Sequence, residues 1–588
     1  LAKEKALQVM KKFLFFMMLS LGFASEAQVG INTTTPEGAL DVVSSNHGIV
    51  LPRVSMAENV TTPSGGDPVN GTMVYDLSRD QVCTRIAGGW LCNDLFGNTE
   101  IVGYPGPPSN VNTYIKASNT GAIDSFGTRL TISADGNYLA VAATLEDSNA
   151  TGVNGDQTNN AASGAGAVYI FQRTSGIWVQ EAYLKASNTD ANDFFGGSLS
   201  FNNDASLLVV GANGEDSNAV GINGDQINNS ASRAGAVYVF SRSGTTWTQE
   251  SYLKASNAEA TDLFGSEVSI SNDGTRIAVG AEGEDSSAIG VNGNQANNSR
   301  SNSGAVYIFR RTGVTWIQEA YIKASNTFNF DSFGVSVSLN SDGSTLAVGA
   351  DGEDSNATGV NGNQSNNTAS GSGAVYIFTR TGVTWSQQAY IKASNTDSGD
   401  FFGQNVSLSG NGNTLAVSSE GEASNTTGIN GDQTDNSATF AGAAYVFNRT
   451  GTNWSQEAYI KASNTEASDS FGRSLSLSID GNRLIVGAIG EASSATGING
   501  DETDNSAAIA GAVYVFSKLG SSWIQDGYIK ASNTDAGDFF GGGRGTTVSG
   551  DGTTIVVGAS SEESNATGIN GDQSNNTLNS AGAVYVIE

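Results

Sequence analysis

The chain has 588 residues, 74 of them glycine, and 58 acidic against 28 basic side chains, a formal charge of −30. That balance excludes a nucleic-acid groove, which needs a basic stripe, and adhesion to an anionic membrane surface. Abundant Gly, Ser, Thr, Val and Ile, with no stretch patterned as a long amphipathic helix, define an all-β protein.

Met10-Lys11-Lys12, the apolar run 13–23 and Ser25-Glu26-Ala27 together have the form of a secretory signal peptide, with cleavage expected after Ala27 and residues 1–9 as an upstream extension. No Cys follows that site, so a lipid anchor is not expected, and no later run reaches the length of a membrane span. The expectation is a bacterial protein exported to the surface or medium, without membrane insertion.

Residues 28–98 form a separate small β segment. Its short extended runs include Val29-Gly30-Ile31, Ala39-Leu40-Asp41-Val42, Gly48-Ile49-Val50-Leu51 and Gly71-Thr72-Met73-Val74-Tyr75. Their order resembles the N-terminal segment of bacterial surface and tail-fibre-like proteins, which implies a presenting stalk able to oligomerise; the competing reading is a β cap that only spaces. Within it, a two-residue turn at Ala87-Gly88 would set Cys83 opposite Cys92 on a hairpin, and a cross-strand disulfide is expected. A metal or redox pair is the alternative, and it lacks a partner His cluster. Pro105-Gly106-Pro107-Pro108 reads as a stiff connector, and residues 99–588 as the main domain.

That domain is one unit copied seven times. Lys-Ala-Ser-Asn begins at Lys116, Lys185, Lys254, Lys323, Lys392, Lys461 and Lys530, always 69 residues apart. In the second copy, the alternating run 195–201, the continuous apolar run 207–212, Gly235-Ala236-Val237-Tyr238-Val239-Phe240 and the run 247–254 predict four antiparallel strands, the composition of a propeller blade. The last copy supplies only three strands, and Thr113-Tyr114-Ile115-Lys116 precedes the first copy as an isolated fourth. Pairing the two predicts a closed seven-bladed β-propeller with no exposed edge.

Phe-Gly at Phe126, Phe195, Phe264, Phe333, Phe402, Phe471 and Phe540, each followed by a Gly-Ala pair or a variant, resembles the FG-GAP repeats of integrin α-subunit propellers and their bacterial relatives. The resemblance implies the seven-bladed fold and a role in adhesion. The motif's proline is absent, as in Gly211-Ala212-Asn213. The family's Asp-rich calcium loop between first and second strands is reduced to tight turns such as Asn272-Asp273-Gly274, so that site does not carry over to those positions.

Two other loops gather on one face of such a ring: the insert between second and third strands, residues 214–226 in the second copy, and the link 188–193 between blades. Glu recurs in every insert, as Glu146 and Glu215, followed by Asp147 or Asp216 in four copies and by Ala423 or Ala492 in two. An Asn-Gly-Asp step ends at Asp156 and Asp225, and the link supplies Asp124, Asp193 and their equivalents throughout. These oxygens suit calcium, which takes six to eight. In the competing reading Asp193 accepts backbone N–H groups to hold the turn before Phe195, and Asn-Gly-Asp is turn chemistry. Nothing points to a required cofactor.

The single histidine, His47, lies outside the repeat, so neither a Ser-His pair nor a His-ligated metal can be built on the ring. Trp178, Trp247, Trp316, Trp385, Trp454 and Trp523 open the fourth strands and suit packing between blades or, alternatively, stacking on sugars. The expectation is a non-catalytic protein that binds a protein or glycan through the loop face. A polysaccharide-acting enzyme or accessory domain and a structural surface-layer component are the alternatives.

Overall fold

The computed structural model describes residues 106–588 and, before them, the backbone of seven short strands. The signal-peptide residues lie outside the described residues. The chain divides into two compact units, Leu1–Gly103 and Tyr104–Glu588. Among the described residues there is no helix, so none that is long and apolar enough to cross a membrane.

In the first unit, Val29–Ile31 pairs in parallel with Leu40–Val42. A five-stranded sheet joins Arg53–Val54, Met73–Asp76, Gln81–Ile86, Gly89–Asn93 and Thr99–Val102 in sequence order. The hairpin that closes at Ile86 and Gly89 sets Cys83 opposite Cys92, the register its two-residue turn predicts. The two cysteine side chains, and the expected disulfide with them, lie outside the described residues.

The second unit is a ring of seven four-stranded antiparallel sheets. Blade two shows the pattern: Ser198–Phe201, Leu207–Ala212, Ala236–Ser243 and Thr246–Leu253. Every residue of Leu207–Ala212 is buried, because the second strand is covered on both faces, and this is why it reads as an unbroken apolar run. The seventh blade takes its outer strand from Val111–Ile115, which pairs antiparallel with Ala583–Ile587 through Val584↔Ile115 and Tyr585↔Tyr114. The ring is closed as predicted.

The core lies between sheets rather than within one. Ala140, Val168, Ile170 and Leu184 of blade one pack against Phe195, Leu208, Tyr238 and Trp247 of blade two in one apolar cluster, and similar clusters fill the other joints. The motif glycines explain how closely the sheets approach. A Cβ on Gly211 would stand 2.1 Å from the carbonyl oxygen of Gly265, and one on Gly280 2.1 Å from that of Gly334. The glycine that ends one blade's second strand thus meets the Phe-Gly glycine of the next. Around the central channel, hydroxyls stitch neighbours together: Thr131, Ser200, Ser269, Ser338 and Ser407 each accept a backbone N–H from the following blade, at 3.0 to 3.3 Å.

The tryptophans are buried joint residues. A bulge in each outer hairpin leaves Glu181 or Glu250 unpaired in the ladder and turns it toward the next blade. There Glu181 accepts the indole N–H of Trp247 at 2.8 Å and Glu250 that of Trp316 at 3.2 Å. The packing reading is observed, and the rings are closed to sugars.

In blade two the first strand begins at Ser198, three residues later than its alternation suggests. Phe194 and its equivalents Ser125, Leu263, Ser332, Phe401, Ser470 and Phe539 all adopt a left-handed conformation, with φ between 53° and 61°. Only the surrounding structure holds non-glycine residues there.

Candidate functional site: the loop face

Each insert is rooted in a buried ion pair. Lys254, at the end of the fourth strand, places Nζ 2.7 Å from Glu215 Oε2, with 0% and 1% of the two side chains exposed. Tyr252 donates its hydroxyl to Glu215 Oε1 at 2.7 Å, and the Ser217 N–H reaches Oε2 at 3.1 Å. The fourth partner comes from the previous blade: Asn188 Nδ2 donates to Glu215 Oε1 at 3.0 Å while its Oδ1 accepts the Tyr238 hydroxyl at 2.6 Å.

The Lys-Ala-Ser-Asn motif therefore bridges a joint, its lysine serving the blade it leaves and its asparagine the blade it enters. The same lysine–glutamate pair recurs in all seven blades at 2.7 to 2.9 Å. At the closure Lys116 binds Glu562 of blade seven, while Asn119 donates to Glu146 of blade one. Burial pulls the Lys254 ammonium down and Glu215 opposes it; burial pushes the Tyr252 hydroxyl far up, with Glu215 adding to it. Such a pair is held by its full set of hydrogen bonds, since removing one member strands a charge in the interior.

The link aspartates act on the turn. Asp124 and Asp193 accept, through Oδ2, the backbone N–H three residues earlier, that of Gly121 and Asp190, and all seven copies do so at 2.7 to 2.9 Å. Burial pushes the Asp193 carboxyl up from its ordinary 3.8 to about 7, against the lowering effect of the Asp190 N–H. Asp124 behaves alike.

Further out, Asp147 and Asp216 cap the end of the insert by accepting the N–H of Gly164 and Arg233 at 2.8 and 2.7 Å. Asp156 and Asp225 sit at the exposed tip, each accepting the N–H two residues on, that of Thr158 and Ile227. Hydrogen bonds to Thr158 hold the Asp156 carboxyl below its usual range. Glu146 and Glu215 at the root, Asp124 and Asp193 at the link, and Asp156 and Asp225 at the tip thus occupy three levels. Among the described residues no group of three or more His, Cys, Asp or Glu side chains is arranged to hold a metal ion.

Asn223 of the Asn-Gly-Asp step has a second task. With φ 55° it donates its N–H to Tyr252 O at 2.8 Å, while its side-chain Oδ1 accepts the Tyr252 N–H at 2.9 Å. With the Ile222↔Leu253 bridge it covers the loop-side end of the outer strand. Between blades one and two this leaves a polar cleft of about 580 Å³, lined by Thr151, Ser187, Asp190, Asp225, Gln226 and Ile227. Ser187 donates to Gln226 Oε1 and accepts Gln249 Nε2, so the cleft floor is fixed by the joint.

Sequence reasoning singled out the glutamates but missed their lysine partners. The available signal was that Glu is followed by Tyr-x-Lys, the lysine 39 residues on, in six copies, and that Tyr114-Ile115-Lys116 supplies the partner of Glu562 across the closure.

Seven four-stranded blades with polar inserts on one face define a β-propeller. Residues 178–240, 247–309, 316–378, 385–447 and 454–516 match the FG-GAP repeat, over more than half of the chain, and the chain belongs to that family. Residues 30–93 match a phage tail like trimerisation region. No curated protein matches the chain. Among solved structures, hydrazine synthase of Kuenenia stuttgartiensis is similar at 11% identity and a TM-score of 0.39, covering 75% of this chain and 94% of that one. The periplasmic gluconolactonase of Pseudomonas aeruginosa is similar at 13% identity and a TM-score of 0.39, covering 77% and 94%. Likenesses this distant carry nothing about function.

Proposed function

We propose that this chain is an exported, non-catalytic binding protein whose loop face recognises a glycan or protein, and whose N-terminal segment presents several propellers together. The observation that carries this reading is the preorganised cleft between blades, with Gln226 and Ser187 fixed by the joint and Asp190 and Asp225 exposed on its rim. A site whose polar groups are already held loses little freedom on binding. The matched trimerisation region adds avidity, because a second contact within one assembly is effectively intramolecular.

A glycan array probed with the full chain tests the reading. Binding should weaken on Gln226→Ala combined with the same change at Gln157 and Gln295, whose side chains accept from Ser118 and Ser256 as Gln226 does from Ser187. Product release from a bound polysaccharide, unaffected by those changes, would instead favour the enzyme alternative. Calcium enters as an ordering ion for the exposed tip carboxylates Asp156 and Asp225. A calcium-specific rise in melting temperature after chelation, lost in Asp225→Ala, supports that role, and no rise removes it.

A further inference from the structure

The clefts between blades repeat around the ring, and one of them breaks the pattern. In five joints the link residue is a carboxylate that accepts Nδ2 of an insert asparagine at 2.5 to 2.8 Å: Asp190 from Asn229, Glu259 from Asn298, and likewise Asp397, Glu466 and Asp535. Between blades three and four that residue is Phe328, and the corresponding Asn367 is exposed, with no hydrogen bond from its amide among the described residues. The tip acid is missing there too, since Asn363 stands where the cleft between blades one and two has Asp225. The joint between blades seven and one has Gly121 in the link but keeps Asp156 at its tip. The cleft between blades three and four is thus the one with no carboxylate at either position.

A cation stands where the anions are lost. Arg300, near the end of the blade-three insert, occupies a position that is alanine in five other blades, as Ala162, Ala231, Ala369, Ala438 and Ala507. Its guanidinium lies over the Phe328 ring, the central carbon 4.5 Å from the ring centroid, and makes no ion pair or hydrogen bond among the described residues. Attraction between the cation and the π face holds the two together. Phe328 remains 37% exposed, and Phe330, held beside the insert by its N–H to Ser301 O at 2.8 Å, is 62% exposed. Two donors without acceptors, Arg300 and Asn367, therefore share one joint with two exposed aromatic rings. Asn363 and Gln364 occupy the wall positions of Asp225 and Gln226.

In the other joints the acceptor facing this asparagine is a carboxylate of the chain itself. Here a ligand carboxylate can take that place, meeting the Asn367 amide and a guanidinium whose planar fork matches it with two parallel hydrogen bonds. The apolar faces of a pyranose suit the phenyl rings, and the amides of Asn363 and Gln364 suit its hydroxyls. The charge of −30 and the carboxylates of the other six clefts repel an acidic chain elsewhere on this face. We propose that the cleft between blades three and four is a single site for a hexuronic acid residue of an acidic glycan, its carboxylate held by Arg300 and Asn367 and its ring against Phe328 and Phe330. This assignment rests on the glycan reading of the loop face and adds to it the cleft and the class of sugar.

Calorimetric titration of the full chain tests it, using oligomers of glucuronate, galacturonate and mannuronate, their methyl esters as neutral controls, and hexaglutamate as an acidic peptide. One of the uronates should saturate at one per chain, and its ester should bind at least about tenfold more weakly. Arg300→Ala and Phe328→Asp each restore a residue that other blades carry, so the fold is kept, and either should weaken uronate binding at least about tenfold. Arg233→Ala, which removes another exposed arginine of the loop face, should leave it unchanged. Uronate binding untouched by Arg300→Ala and Phe328→Asp, or equal binding of the ester, overturns the assignment and leaves the glycan reading standing. Hexaglutamate binding as tightly, with the same dependence on Arg300, overturns it in favour of an acidic protein partner. No uronate bound while the array shows neutral glycans overturns it alone, and no glycan of either kind overturns both.

Discussion

The root and the tip of one insert obey different rules. At the root, Glu215 is buried, carries three side-chain donors and a backbone N–H, and is matched by glutamate in every blade. At the tip, ten residues on, Asp225 is exposed and its carboxylate bonds only the local turn, and two blades carry Asn294 and Asn363 in its place. Invariance within this chain therefore marks the scaffold, and variation marks the surface free to meet a partner.

The largest expected effect concerns pH and sums over seven copies of the link. Each aspartate like Asp193 has its carboxyl raised in the folded chain from 3.8 to about 7. Between those values the folded chain holds protons that the unfolded chain has released. Their stabilisation is thus fully present below about pH 4 and is lost as pH rises through 7. Melting temperature should fall between pH 5 and pH 8, and Asp193→Asn should flatten that slope; a flat profile instead would place these carboxylates in solvent, and a rise would mean that the backbone N–H bonds outweigh burial.

Next is the root. Lys254→Met strands the Glu215 carboxylate and should cost about 3–5 kcal/mol in denaturant unfolding. Adding Glu215→Gln should recover part of the loss, since the charge is then gone while Tyr252 and Asn188 keep a partner. Equal loss in single and double variants would mean that packing, not charge, fixes the root.

Gly280→Val should cost about 1–3 kcal/mol by overpacking the joint against the Gly334 carbonyl. The smallest effect is at the tip, where Asp225→Asn should change stability by no more than about 0.5 kcal/mol. A larger change there would erase the contrast between root and tip.

Much of this was legible in the residues. The run 207–212 reads as a doubly covered strand, and the isolated Thr113-Tyr114-Ile115 supplies the missing outer strand because both signals are local and apolar. The role of Glu215 was not, since a lone carboxylate among glycines reads equally well as turn or ligand until topology brings Lys254 to it. Phe195 looked like the start of a strand because its apolar character is local, whereas the left-handed turn before it is imposed by the joint. The cross-ring contacts of Arg544 were illegible for a stronger reason: Arg544 of blade seven pairs with Glu267 of blade three and donates to the carbonyls of Val335 and Gln404 in blades four and five, groups that meet only once the ring is closed.

The way Lys-Ala-Ser-Asn spans two blades has a consequence for how such a ring changes size. One 69-residue unit carries an asparagine that completes the blade it enters and a lysine that completes its own. Gene duplication or loss of a whole unit therefore leaves every joint chemically whole, and blade number becomes a question of wedge geometry alone. Such a ring gains or loses members the way a chain gains or loses identical links, with the last link fastened by Val111–Ile115.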